Sequence, residues 1–541
     1  MKINRVKTGL LAVVLVTVLG DVAVKAGETP YLRKQGNATQ LIVEGKPFLM
    51  IAGELGNSSA SSVEYMKLIW PKLAKCNLNT VLMPVYWDLI EPAEGKFDWT
   101  LVDGLIRDAR RNDLRLVLLW FGSLKNSMSC YVPYWVKANY DRFPRARNAE
   151  GRAQEMLSVF SEENLNADKR AFAALMRHIR KINRDQTVIM VQVENEVGMI
   201  PNAREYGAAA DEQFGKDVPK ELIDYLVAHK ETLIPEFNEV WKAGGFKTAG
   251  TWEDVFGKGL GTEEIFMAWH YARYTGQVTA AGKAEYALPM FVNAALIRPG
   301  YKPGQYPSGG PLPHLMDVWR AGAPQIDFLS PDVYFPNFVE WVTKYDRSGN
   351  PVFIPETGRG SENTVNAFYA IGKCNAMGFS PFAIEGMTQA DGELAKGYDV
   401  LRQLSPLILE HQGKGTMTGV LVDFNNTSQQ AILGDYKLNI KLDAGWGQAV
   451  TQGMMGGSII ISTGPDEYVI SGQRQVITFE PTASGEPPLP AGIGWIQQGH
   501  FDKGKWLIDL WLNGDQSHQG RHLRLPEERY DILQIKLYRY R

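Results

Sequence analysis

Three cysteines in 541 residues, Cys76, Cys130 and Cys374, permit one disulfide at most, so bridges are not the main source of stability. Their wide spacing also argues against a structural zinc site. Histidine is scarce too, with eight scattered copies and no His-Glu-x-x-His helix, so neither a metal nor a cofactor is expected. The net charge is only -3, which leaves no basic excess for nucleic acid or an anionic membrane. The apolar stretch from Gly9 to Gly20 is too short to span a bilayer comfortably. It follows Lys2, Arg5 and Lys7 and precedes the small residues Val24 and Ala26, the pattern of a secretory signal cut before Gly27. A secreted or periplasmic mature protein with no membrane span is therefore expected. Solenoid repeats and low-complexity linkers are absent as well.

What is present is an ordinary globular composition, 45% hydrophobic, in a chain long enough for two or three domains. From Pro47 to about Met387, apolar runs alternate with amphipathic stretches. Phe48 to Gly53, Thr80 to Tyr86, Leu114 to Phe121, Val188 to Val193, Asp327 to Tyr334, Val352 to Pro355 and Phe379 to Ile384 predict strands, with Lys247 to Thr251 and Pro289 to Ala295 as two weaker candidates. Helical spacing over 62–76, 101–112 and 168–183 separates the early ones. That is one strand more than a (β/α)8 barrel needs, and a barrel with long loops fits this length better than an open sheet. Beyond about Leu404 the runs become short and alternating, separated by Gly, Asn and Asp, as in an all-β sandwich docked on the barrel. The expected division is a signal over 1–26, a TIM barrel over 27–403 and a C-terminal β-sandwich over 404–541.

The barrel loops carry aromatics and acids. Fourteen tryptophans and 22 tyrosines suit a ligand with flat, partly apolar faces, such as a sugar. Trp87 to Trp99, Pro133-Tyr134-Trp135, Trp252, Trp269-His270-Tyr271 and the Pro/Gly-rich loop from Arg298 to Pro313, with Tyr301 and Tyr306, are candidates for one rim. Two buried strands end in carboxylates. One runs from Val188 into Glu194-Asn195-Glu196, the other from Val352 into Glu356. Glutamates at the carboxyl ends of barrel strands can face one another across the mouth. Cleaving an acetal needs such a pair, one carboxyl to protonate the departing oxygen and one to meet the oxocarbenium-like centre. A close pair retains configuration and a wider pair inverts it. Alternation puts Glu194 and Glu196 on one face and Asn195 on the other, so spacing alone does not choose between the two glutamates; a bulged strand end aims consecutive residues at one site.

Ile189-Met-Val-Gln-Val-Glu194-Asn195-Glu196 resembles the strand-four signature of glycoside hydrolase family 35, the β-galactosidases. Ile90-Glu91-Pro92 with Glu94 to Asp98 is similar to the strand-two region of families 35 and 42, Pro133 to Val136 resembles the strand-three loop, and Phe353-Ile-Pro-Glu356 the nucleophile strand. The resemblance implies a retaining, exo-acting hydrolase that releases terminal β-galactose, with Glu196 as acid/base and Glu356 as an ionised nucleophile. It assigns Asn195 to the sugar 2-hydroxyl, Tyr334 as a donor to Glu356, and Glu54 as an acceptor for sugar hydroxyls; Trp135 and Trp252 complete the expected carbohydrate site. Glu194 takes a supporting role, and Arg359 is placed to help keep Glu356 ionised. Arg184-Asp185-Gln186 and Val197 depart from the family pattern and suggest a divergent bacterial branch, so another retaining β-glycosidase, or a non-catalytic carbohydrate binder, stays open as an alternative.

Overall fold

A computed structural model describes residues 29–390, 392–482, 489–512, 514–527 and 529–541; the expected signal segment, 1–26, lies outside them. Eight parallel strands form one sheet: Met50–Glu54, Thr80–Tyr86, Arg115–Lys125, Val188–Asn195, Met290–Ala295, Phe328–Val333, Glu356–Thr357 and Gly378–Phe379. Neighbours in the sheet are neighbours in the chain, and Gly378–Phe379 pairs with Met50–Ile51. A parallel bridge between Ile354 and Phe379 joins the remaining edges and closes the ring. The seventh strand is short, and Pro355, immediately before it, has no N–H to give to a ladder. Strands two and four are buried throughout, which is why their β-branched runs read as continuous and not alternating.

Of the two weaker strand candidates, Pro289 to Ala295 forms the fifth strand, Met290–Ala295. The other, Lys247 to Thr251, is not a strand. Thr251 is the N-cap of helix Trp252–Phe256, where its side chain and that of Asp254 form a reciprocal capping box. Gly250 ahead of it turns the chain at φ +121. Local capping chemistry outweighs the β propensity of so short a run. An antiparallel sheet of Tyr31–Gln35, Ala38–Val43 and Lys46–Phe48 precedes the barrel and was not anticipated.

The C-terminal region forms two antiparallel sheets. Six strands (Met417–Asp423, Met455–Gly464, Glu467–Gln473, Ile532–Arg539, Ala491–Asp502, Lys505–Leu512) and four (Ser428–Leu433, Tyr436–Leu442, Gln475–Pro481, Leu523–Leu525) enclose a second core that includes Val422, Leu438, Ile440, Ile470 and Ile535. Ser428–Leu433 and Tyr436–Leu442 form a hairpin turned at Gly434-Asp435. Helix Glu393–His411 runs across position 404 and places Leu404 and Ile408 in the barrel core, so the change of texture there is not a break in structure.

Helix Asn363–Lys373 is the joint between the two cores; every residue from Asn363 to Gly372 is buried. Its far end crosses the strand Met417–Asp423 at two glycines. A Cβ on Gly419 would lie 2.5 Å from Phe368 O, and one on Gly372 would lie 2.7 Å from Gly419 N. Because backbone, and not the end of a flexible side chain, occupies that space, Gly419→Ala is expected to destabilise the protein by about 1–3 kcal/mol. Gly261→Ala, at a helical position with open space around it, serves as the control. Thermal melting checks this: a fall in melting temperature for Gly419→Ala alone is expected, and equal behaviour of the two variants would refute the close-packed joint.

Candidate active site

The third strand carries a local irregularity that shapes everything at the barrel mouth. Trp120 pairs with Val193 and Lys125 with Asn195, so five steps along strand three match two along strand four. The surplus residues bulge. Gly122 lies inside the bulge, where a Cβ would meet the Trp120 indole at 2.2 Å and Glu194 Oε1 at 2.8 Å. Strand four adapts at its own end, with Glu194 at φ +59 and Glu196 at φ +46. These left-handed turns break the alternation of the strand and send the two glutamates to different places.

Glu194 is fully buried and accepts from Leu124 N (2.7 Å) inside the bulge. Asp168, on helix Glu162–Ile182, lies beside it and accepts from Trp120 Nε1 (2.9 Å) and Ser123 N (3.2 Å). Burial first, and Asp168 second, push the Glu194 pKa well above the ordinary range. Glu194 therefore anchors the bulge, away from the mouth.

Glu196 turns the other way. Its backbone N–H donates to Asn293 Oδ1 (3.0 Å) on strand five, and Asn293 Nδ2 donates to Asp332 Oδ2 (2.7 Å) on strand six. Glu356, at the start of strand seven, accepts from the Tyr334 hydroxyl at Oε1. Glu54, at the end of strand one, is fully buried, and Glu356 is the carboxyl that acts on it most strongly. The structure thus brings Glu54, Asn195, Glu196, Tyr334 and Glu356 to one place. Lys125, Asn293 and Asp332 belong to the same cluster and were missed. Asn293 and Asp332 lie on strands whose apolar runs were read, whereas Lys125 lies beyond its run and reaches the cluster through the bulge.

The electrostatics follow from burial. Desolvation is the largest influence on all four carboxyls and raises each pKa, Glu54 and Asp332 well above the ordinary range. Glu356 is pushed up to about 7 by burial and then by Glu196, against the opposing influence of Lys125 and Tyr334. Because these carboxyls act on one another, the cluster ionises as a unit and shares its protons. The expected helper, Arg359, is replaced by Lys125, the cation acting on Glu54, Glu196, Asp332 and Glu356 alike. The Tyr334 hydroxyl is raised by burial and by Glu356, so it stays a donor.

The cluster opens into a cavity of about 570 Å³ lined by Asn126, Glu196, Tyr301, Tyr306, Asp332 and Tyr334 among others. That volume suits a small ligand. The loop tyrosines Tyr301 and Tyr306 thus reach the mouth, but the two predicted tryptophans do not line it. Trp252 is 1% exposed and packs against Phe256 and Phe266, since its helix is capped onto the core. Trp135 donates to Glu91 O (3.1 Å) and packs edge-on against Trp87 and Phe143, stapling two loops together. His270, wedged among Phe160, Phe266 and Trp252, has its pKa lowered to about 3 by burial and stays neutral. No group of three or more His, Cys, Asp or Glu able to hold a metal occurs among the described residues, and no described helix is long and apolar enough to cross a membrane.

The raised pKa of Glu54 has a stability consequence of definite sign. In the unfolded chain Glu54 ionises near 4.5, whereas the native state holds it protonated to higher pH. Its contribution to stability is complete below about 4.5 and is lost as pH rises through the native value. Glu54→Gln removes that loss. Its melting temperature relative to the parent is expected to rise by about 2 °C or more between pH 4.5 and pH 8; a difference independent of pH would contradict the assignment.

Comparison with known proteins gives two family matches. Residues 40–256 match the model of glycosyl hydrolases family 35, and residues 394–524 match a domain of unknown function, DUF5597. The first match contains Glu54, Lys125, Asn195 and Glu196; Asp332, Tyr334 and Glu356 lie outside it. A β-galactosidase of Xanthomonas manihotis is 26% identical over 203 residues, 37% of this chain and 31% of the relative. The chain thus spans about a third of that relative's length. Among solved structures, β-galactosidases from the psychrophilic Marinomonas ef1 (12% identity, TM-score 0.46, 67% of this chain and 60% of that one) and from Bacillus circulans sp. alkalophilus (15%, 0.47, 67% and 57%) are similar. From strand one through helix Trp252–Phe256, the chain is similar to the glycosyl hydrolases family 35 model.

Proposed function

We propose that this protein is a retaining, exo-acting β-galactosidase in which Glu196 is the acid/base and Glu356 the nucleophile. The observation that carries the proposal is the meeting of these two carboxyls, from strands four and seven, within one cluster at the carboxyl end of the barrel. The family 35 match and the β-galactosidase relative support the choice of reaction and sugar.

Tyr334 donates to Oε1 of Glu356, which favours Oε2 as the atom that attacks the anomeric carbon. Glu196, its pKa raised, carries the proton that goes to the glycosidic oxygen as the C–O bond breaks. When the glycosyl ester forms, Glu356 loses its negative charge. Because repulsion between the two carboxyls is mutual, that loss lowers the pKa of Glu196. Glu196 is then a carboxylate, ready to take a proton from water in the second displacement, and the ester breaks to regenerate Glu356. Glu54 and Asp332, both deep in the cluster, supply acceptors for sugar hydroxyls, and the buried Nδ2 of Asn195, which has no protein partner, is the donor left for the 2-hydroxyl.

A panel of nitrophenyl glycosides, with the released sugar followed by NMR, tests the whole proposal. The β-galactoside is expected to be the preferred substrate and to release β-galactose before mutarotation. Preference for a glucoside, mannoside or arabinoside would move the protein to another retaining specificity. First release of the α-anomer would refute Glu356 as nucleophile.

A further inference from the structure

Lys125 is 5% exposed and ends strand three inside the acidic cluster. An ammonium group has three donors and no acceptor, so an asparagine amide that meets it must present its carbonyl oxygen. Two amides do so. Lys125 Nζ donates to Asn195 Oδ1 at 2.6 Å and to Asn126 Oδ1 at 2.5 Å. Which end of an amide is oxygen is commonly ambiguous, and here the lysine removes the ambiguity. With both carbonyls turned to Lys125, both NH2 groups turn away from it. Asn195 Nδ2 is buried without a protein partner, and Asn126 Nδ2 donates to no protein acceptor among the described residues. Asn126 is itself exposed and lines the mouth cavity with Glu196.

The backbone fixes the two amides side by side. Asn126 N donates to Asn195 O (3.1 Å), and Asn126 adopts φ +51, a left-handed conformation that asparagine tolerates better than most residues. The bulge in strand three is what brings Lys125 level with Asn195. The carboxyls of Glu54, Asp332 and Glu356, which belong to the same cluster, offer acceptors. A sugar hydroxyl both donates and accepts. A ring that meets both kinds of group has both functions satisfied.

We infer that Asn126 is a further substrate-binding residue and that Lys125 is a positioning residue, fixing the polarity of the Asn126 and Asn195 amides so that both offer N–H donors to the hydroxyl oxygens of a sugar in the cavity. This rests on the carbohydrate reading above. It assigns a task to the single lysine of the cluster, which the two-carboxylate reaction leaves unexplained. Replacing it removes both the orientation of the amides and the positive charge beside the carboxyls.

The test is kcat/KM for nitrophenyl β-galactoside and its monodeoxy analogues, measured with Asn126→Ala and Lys125→Met beside the parent enzyme. Asn126→Ala changes an exposed side chain, so its melting temperature is expected to hold while kcat/KM falls at least about 10-fold. On the one deoxy substrate that lacks the contacted hydroxyl, parent and variant are expected to converge. An equal loss on every analogue, or no loss at all, would overturn the role of Asn126. For Lys125→Met, the acid limb of the pH profile is expected to move up by about one pH unit or more, because the opposing cation is gone. A folded variant with an unmoved limb would overturn its role. If the parent hydrolyses no glycoside, the functional reading fails separately. Amide orientation remains testable by neutron crystal structures of Asn126→Ala and Lys125→Met, which distinguish amide nitrogen from oxygen: Asn195 displaced or flipped only in the lysine variant is expected, and Asn195 unmoved there would refute the positioning role.

Discussion

The site depends on the burial of more acid than base. Four carboxyls from four barrel strands share one lysine, and burial is the largest influence on each of them. Water would solvate these charges; the barrel end does not, so protons take its place. A cluster in this state holds a proton ready at one carboxyl and a negative charge ready at another. It is also a cost to the fold, concentrated where the barrel is most polar and sustained by the close-packed strands around it.

Backbone geometry decides where each acid points. Had strand four ended in regular alternation, Glu194 and Glu196 would point the same way. The bulge in strand three and the left-handed residues Glu194 and Glu196 separate them, one to Asp168 and Leu124, the other to Asn293 and the cavity. The same bulge delivers Lys125 to Asn195. One irregularity in the ladder therefore separates the two glutamates and sets Lys125 against the amide of Asn195.

The barrel was legible because its strands are continuous apolar runs with polar ends, a local signal that needs no partner to be read. The acids at Glu54, Glu196 and Glu356 were legible for the same reason. What escaped depended on pairing at a distance. Lys125 lies four residues past the end of the run from Leu114 to Phe121, and only the bulge opposite Glu194 makes it part of the site. Trp252 looked like a rim aromatic because a loop was expected there, yet Thr251 caps a helix and turns the ring inward. In the C-terminal sheets, the strand Ala491–Asp502 is interrupted by Gly492, Gly494 and Gly499, which hide its alternation; its partners, Lys505–Leu512 and Ile532–Arg539, are what make it a strand.

The central claim is that Glu356 becomes covalently bound to the sugar while Glu196 moves the proton. The most direct measurement is to inactivate the enzyme with 2,4-dinitrophenyl 2-deoxy-2-fluoro-β-galactoside, digest it, and locate the fluorosugar by mass spectrometry. The account predicts a single ester on the peptide containing Glu356. An ester on Glu54, Glu196 or Asp332, or no ester although the unfluorinated galactoside is turned over, would contradict it.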